Sequence, residues 1–213
     1  MRLYLFWILC AVTPATQLDQ PFYDWSGVYP ELKILKHNKQ QIKNETLRIM
    51  KEDWLVWPER YLYENPDGWK VWPLYGFGFW ITKHCEFSPF FCDLVRSIPN
   101  VRTASLSQFD AGTVLAPHQG YADLSNHILR CHYGIIVPEG CTIGCANQVV
   151  PIRENDIVVF DDSKIHYTAN RGDSPRIVLI LDIERPPHVK PGTSPIRDTP
   201  QILDLIEYMR KYT

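Results

Sequence analysis

A chain of 213 residues with 45% hydrophobic and 22% charged side chains can bury one sizeable core and has little length left for a second. Its 22 Lys and Arg against 24 Asp and Glu give a formal net charge of -2, which leaves no basic field for nucleic acid and no acidic tail. Small molecules or peptides are the expected partners.

The first residues, MRLYLFWILCAVTPATQ, carry one Arg, an apolar run from Leu3 to Val12, and small side chains at Thr13 and Ala15. This is the layout of a secretory signal peptide over residues 1–16, and the run is too short for a comfortable membrane span. A first buried strand is the other reading of the same run. On the signal reading, residues 17–213 form a single folded domain destined for the secretory pathway or ER lumen. Membrane association then arises only if the apolar segment is retained, and a cytoplasmic location stays open on the other reading. The sequon Asn44-Glu45-Thr46 agrees with the secretory route.

Residues 38–53 set Ile42, Ile49 and Met50 among polar neighbours, a helical pattern. Aromatics are dense from Trp54 to Trp80, in WLVWPERYLYENPDGWKVWPLYGFGFW. Such density fills a core or covers a sheet edge more often than it lines a pocket, with Tyr75 to Trp80 as the pocket candidate. Cys85 and Cys92 flank EFSPFF at a separation that can close a small disulfide loop in an oxidising lumen. Cys141 and Cys145 have no second pair at ligand spacing, so buried thiols explain them better than zinc.

From 101 to 184, TASLSQF, ILRCHYGIIV, DIVVF and RIVLILDIE are rich in β-branched and aromatic residues, and VPEG, RENDI and NRGDSP separate them. Short strands at this spacing predict a mainly β fold, a sandwich or a jelly roll, with helices flanking it on both sides in sequence. No helical pattern intervenes, which argues against parallel α/β winding. RPPHVKPGTSP, from Arg185 to Pro195, reads as a linker crossing the surface. Ile202, Leu205, Ile206 and Met209 then fall at helical spacing over 200–210, behind Thr199 as N-cap and Pro200 at the first position. Both helices are expected on the outside of a sheet.

Read as an antiparallel hairpin centred near Arg171, IHYTANRGDSPRIVL puts His166 opposite Arg176 on one face. In LRCHY, Arg130 and His132 are two apart and share a side. Arginines and histidines gathered inside a small barrel are costly unless paired. A dianionic ligand gripped by Arg forks, with a divalent metal on neutral imidazoles at one end, supplies the pairing. The spacing is served equally well by Arg130 and Arg176 on an outer face, paired with surface acids.

From LDQPFYD near residue 18 through DIERP ending at Pro186, the chain resembles the aspartyl/asparaginyl β-hydroxylase family of iron(II)- and 2-oxoglutarate-dependent dioxygenases. PHQG, LRCHYGIIVPEGCTIGCAN, IVVFDDSKIHYTAN and RIVLILDIERP carry the resemblance in the family's order and spacing, with WPLYGFG and the Cys85/Cys92 pair in support. It implies a double-stranded β-helix with Fe(II) on His118 and His166. It also implies 2-oxoglutarate held by Arg130 and His132 at the metal-proximal carboxylate and by Arg176 and Ser107 at the distal one. Gly120 stands where other oxygenases of the fold carry an acidic third ligand, in agreement with the family pattern. Asp123 becomes a turn residue or substrate contact, and Asp161 and Asp162 stabilise a turn or hold a ligand histidine.

The implied reaction uses dioxygen to decarboxylate 2-oxoglutarate and to hydroxylate an unactivated carbon, most directly the β-carbon of an aspartyl or asparaginyl residue in a peptide or protein. Family members act on epidermal-growth-factor-like (EGF-like) domains, and relatives on free amino acids or lipid acyl chains. A two-histidine iron halogenase and a metal-free jelly-roll module that binds a dicarboxylate are the alternatives.

Overall fold

The computed structural model describes residues 17–213, so the expected leader over 1–16 lies outside the described residues. The chain enters through β1 (Phe22–Tyr23) and the helices α1 (Trp25–Val28), α2 (Lys33–His37) and α3 (Lys39–Ile49). β2 (Leu55–Val56), β3 (Trp69–Gly76) and β4 (Phe79–Trp80) precede the helices α4 (Thr82–Phe87) and α5 (Pro89–Arg96). Then come β5 (Val101–Phe109), β6 (Val114–His118), the short helix α6 (Ala122–Ser125), β7 (Ile128–Ile136) and β8 (Cys141–Cys145). β9 (Gln148–Pro151), β10 (Ile157–Phe160), β11 (His166–Asn170), β12 (Arg176–Glu184) and helix α7 (Pro200–Arg210) complete it.

The strands build two antiparallel sheets. The larger runs β1-β10-β7-β12-β5-β3-β2, with β4 added to β3, and the smaller runs β6-β11-β8-β9. Of the sandwich and jelly roll that the short strands allow, this is the jelly roll, the double-stranded β-helix that the resemblance implies, with helices outside the larger sheet. β12 shows how the sequence encodes it. Its centre, IVLIL at residues 177–181, is an unbroken apolar run because both faces of its sheet are covered. Ile177, Leu179, Leu181 and Ile183 pack with Leu35, Ile42, Ile49, Phe91 and Val95 of the helical layer. Val178 turns the other way, onto Cys141, Ile143 and Cys145 of β8. The same period of two points Arg176 and Asp182 into the space between the sheets.

α3 is shorter than the expected 38–53. It stops at Ile49, whose carbonyl accepts from Trp54 Nε1 at 2.8 Å, one of the groups a helix end leaves open. Inside α3 the sequon's Thr46 is buried, and its hydroxyl donates to the Ile42 carbonyl at 2.8 Å. α7 follows the expected pattern: the Thr199 hydroxyl accepts from the Ile202 N–H, and Ile202 and Met209 are buried. Cys85 and Cys92 form a disulfide across the α4–α5 elbow, with Cα atoms 5.5 Å apart. Cys131, Cys141 and Cys145 are free, buried thiols. Among the described residues, no helix is long and apolar enough to cross a membrane.

Two expectations need correction. The hairpin over 165–179 does not form, because β11 belongs to the smaller sheet and β12 to the larger. Arg176 is paired with Phe109, and His166 with His118 and Cys145. Asn170 shapes the crossing: its Nδ2 donates to the carbonyls of Phe109, Asp110 and Ser174, and its Oδ1 accepts from the Gly172 N–H. NRGDSP does mark a reversal, but turn chemistry does not say whether the chain stays in one sheet. Nor is the Pro-rich 185–195 stretch only a linker crossing the surface: it is pinned to the domain. Ser194 is buried, its hydroxyl donates to the Gly120 carbonyl at 2.6 Å, and its N–H and carbonyl pair with the Asn126 side chain.

Candidate functional site

His118 ends β6 and His166 opens β11, directly opposite each other in the register, with ring centroids 4.2 Å apart. Each Nδ1 lies 2.9 Å from a backbone carbonyl two residues upstream, Ala116 for His118 and Lys164 for His166. A carbonyl can only accept, so Nδ1 carries the hydrogen and Nε2 presents its lone pair. Burial pushes both imidazoles down to about 4, helped at His118 by the neighbouring His166 ring. Both are therefore neutral at pH 7, the form that binds metals.

Asp162 closes this corner. Its Oδ1 lies 3.3 Å from His166 Nε2 and 2.7 Å from Arg130 Nη1, the latter at ion-pair distance but without hydrogen-bond alignment. A carboxylate oxygen facing an unprotonated ring nitrogen is unfavourable unless a proton or cation joins them. Burial pushes the Asp162 carboxyl up to about 6 against the pull of Arg130. A divalent cation on the two Nε2 atoms fits this donor set. Among the described residues no group of three or more His, Cys, Asp or Glu side chains forms a metal cage. A cation here would draw its remaining ligands from the bound anion and water.

Gly120 now has a physical reason. A Cβ built there would overlap the Asp162 carboxylate and lie 2.8 Å from Ser125 Cβ. The space of a side chain at 120 is filled by a carboxylate delivered from the turn before β11, and the Gly120 N–H donates to the Asp162 carbonyl at 2.9 Å. Asp161 fixes that turn from the other side, accepting from the Ser163 N–H and hydroxyl and pairing with Arg185. Asp123 stands exposed in the first turn of α6.

Arg130 and His132 share the inner face of β7, as their spacing predicts. Arg130 is gripped bidentately by Asp182, Nε to Oδ1 at 2.7 Å and Nη2 to Oδ2 at 2.9 Å, and Thr103 donates to the same carboxylate at 2.6 Å. His132 is buried, its Nδ1 has no partner among the described residues, and burial together with the two guanidiniums keeps it neutral.

Further along the same face lies a different kind of group. Arg176 is 1% exposed, its Nη1 donates to the Thr168 hydroxyl at 2.7 Å, its guanidinium sits 4.1 Å over the Phe109 ring, and its Nε has no partner among the described residues. Burial pulls its pKa down to about 10. Ser107 is buried one register step from the Phe109–Arg176 pair and accepts from Trp69 Nε1 at 3.1 Å, which leaves its own hydrogen free to donate.

The structure thus gathers all six expected residues, and it adds Asp182 and Trp69. Asp182 was legible, since it shares the parity of Arg176 in β12 and a buried acid on that face needs a cation. Trp69 was absorbed into an aromatic stretch that mostly does fill core, as Trp72 does on His84 and Phe87. Tyr75 packs on Trp80 across β3 and β4.

Fold and site define a double-stranded β-helix protein with two histidines at one end of its interior and a buried guanidinium, bonded to no acid, further in. The sequence profile described as Aspartyl/Asparaginyl beta-hydroxylase matches residues 36–186, and the chain belongs to that family. It is 31% identical over 166 residues to the aspartyl/asparaginyl beta-hydroxylase of Homo sapiens, across 74% of this chain and 22% of that protein. It is 36% identical over 132 residues to the ornithine lipid ester-linked acyl 2-hydroxylase of Rhizobium tropici, across 61% of this chain and 44% of that protein. The chain therefore spans less than half the length of either relative. A solved Pseudomonas putida prolyl-4-hydroxylase superposes with a TM-score of 0.48 at 11% identity, over 71% of this chain and 88% of that one.

Proposed function

We propose that this protein is an iron(II)- and 2-oxoglutarate-dependent dioxygenase that hydroxylates an unactivated carbon. Arg176 carries the reading: a guanidinium sealed from water, bonded to a hydroxyl and an aromatic face rather than to an acid, on the same interior as two imidazoles with free Nε2 atoms. A buried cation of this kind calls for an anionic ligand. Its partner Thr168 is two residues from His166 on β11, roughly 7 Å along the strand, a span that suits a short dicarboxylate with one end at the histidines.

Bound iron and 2-oxoglutarate would supply the oxidising chemistry; the chain positions them. His118 and His166 offer Nε2 to the metal. His132 and Arg130 would hold the near carboxylate, with Asp182 keeping the Arg130 fork in place. Arg176 and Ser107 take the far carboxylate through charge-assisted hydrogen bonds. Asp162 fills the space beside Gly120 with negative charge, which favours hydroxylation over a halogenase that must bind halide there. The metal-free dicarboxylate module predicts no metal uptake and no turnover.

For the substrate, the human relative supports an aspartyl or asparaginyl residue in a peptide or protein; an EGF-like domain as its carrier rests on the family resemblance alone. The higher identity to the Rhizobium lipid hydroxylase, 36% against 31%, favours a second reading, an acyl chain. The Cys85–Cys92 disulfide supports the oxidising compartment that the secretory reading requires. Succinate release from 2-oxoglutarate, screened with Asp- and Asn-containing peptides and with acylated lipids, tests both substrates. His166→Ala should abolish it, and release at the wild-type rate would remove the histidines from the site.

A further inference from the structure

Glu59 has no task in the chemistry above. It is 3% exposed, and the groups that hold it are neutral. Its Oε2 accepts from Trp57 Nε1 at 3.2 Å, and its Oε1 accepts from the hydroxyls of Tyr61 at 2.7 Å and Thr199 at 2.9 Å. The Tyr121 hydroxyl also lies against it, its pKa pushed up by burial and then by this carboxylate. Burying a carboxylate among neutral donors is costly, so what it holds in place matters.

Its grip can be followed inward. Trp57 stacks on Trp69 with centroids 4.4 Å apart and planes 18° from parallel, and the Trp57 N–H donates to the Trp69 carbonyl at 2.9 Å. Tyr63 packs edge-on against Trp69 and donates its hydroxyl to the Trp57 carbonyl at 2.6 Å. Trp69 Nε1 then fixes the Ser107 hydroxyl, on the face that carries Arg176. Outward, Thr199 is the N-cap of α7. One carboxylate thus joins the closing helix to the wall of the anion subsite.

We infer that Glu59 is a positioning residue for the distal end of the 2-oxoglutarate pocket, holding Trp57 and Trp69 so that Ser107 offers its hydrogen to the ligand, and linking α7 to that grip. The inference rests on the function proposed above. It predicts an effect on cosubstrate affinity from a residue that does not touch the cosubstrate.

The test is 2-oxoglutarate titrated into the whole chain loaded with zinc, followed by calorimetry and tryptophan fluorescence. Glu59→Gln keeps the side-chain volume but turns one acceptor into a donor facing other donors. It should weaken binding about tenfold, near 1.4 kcal/mol, and raise the 2-oxoglutarate KM while kcat changes little. Trp57→Phe, which keeps a ring in the stack and the backbone bond to Trp69 but deletes the indole Nε1–H that Glu59 accepts, should reproduce most of the loss. In the double variant the two losses should fail to add, because both cut one chain of contacts. A merely structural Glu59 would lower Tm with no change in Kd, and that result, or additive losses, overturns the inference; if Glu59→Gln does not fold, an unchanged Kd in Trp57→Phe does so alone. Binding lost in Arg176→Met but unchanged in both of these variants would refute the role of Glu59 and leave the proposed function standing. No binding by the wild type would defeat both.

Discussion

Replacing Arg176 by Met should make the protein more stable and less able to bind a dicarboxylate. The guanidinium is 1% exposed and its pKa is drawn down to about 10 by burial, so the folded chain carries a strained charge in the absence of ligand. Exchanging a buried charge for an apolar side chain of similar length gains roughly 1–4 kcal/mol. Against this stand the hydrogen bond to Thr168, about 1 kcal/mol, and the contact over Phe109, about 1 kcal/mol. Thr168 keeps its own donation to the Thr142 carbonyl, so only an acceptor is left open. The middle of these figures leaves a net gain of about 0.5 kcal/mol, or roughly 1–2 °C in Tm for a chain of this size. Binding should move the other way, since a charge-assisted hydrogen bond is worth about 1.5–3 kcal/mol, a loss of roughly ten- to a hundredfold. Thermal melts with and without 2-oxoglutarate read both effects: ligand raises the wild-type Tm, and the variant needs roughly ten- to a hundredfold more ligand for the same shift. A variant that melts lower than wild type and responds to the same ligand concentrations would refute the reading of Arg176 as a cation waiting for an anion.

Gly120→Ala should displace the Asp162 carboxylate and cost roughly 1–3 kcal/mol by overpacking, and Asp162→Ala in the same chain should restore most of the lost Tm; no rescue would separate the two positions. Asp182→Asn removes half the charge around Arg130 and should cost on the order of 3 kcal/mol in urea denaturation, whereas a change near zero would show that Asp162 suffices. Glu45 is buried and its pKa is raised, first by burial and against the pull of Arg48. The folded chain thus keeps a proton that the unfolded chain releases near 4.5, and stability falls as pH rises from there through the folded value. Glu45→Gln should flatten that slope in melts taken across mildly acidic pH, and an unaltered slope would contradict the assignment.

The strand-rich half was legible because its runs are rich in β-branched and aromatic residues and are separated by turn signals, and Arg130 and His132 on one side of β7 followed from the period of two along a strand. His166 and Arg176 do end on one interior, but the route differs from the expected hairpin: two facing sheets bring them together, with Thr168 between them. Local turn chemistry cannot distinguish a hairpin from a crossing. Asp162 and Gly120 lie 42 positions apart, and nothing local says that one fills the space of the other. Glu59 and Trp69 were hidden for a related reason. An aromatic-rich stretch reads as core, and only the folded contacts show which of its members touches Ser107.

The central claim is that His118 and His166 hold one ferrous ion beside a 2-oxoglutarate anchored at Arg176. Anaerobic titration of Fe(II) into the protein with 2-oxoglutarate present, followed by visible absorption, tests it most directly. A charge-transfer band should grow to one equivalent of iron and be absent in His166→Ala. Saturating iron and 2-oxoglutarate without such a band, or a band of equal strength in His166→Ala, would contradict it.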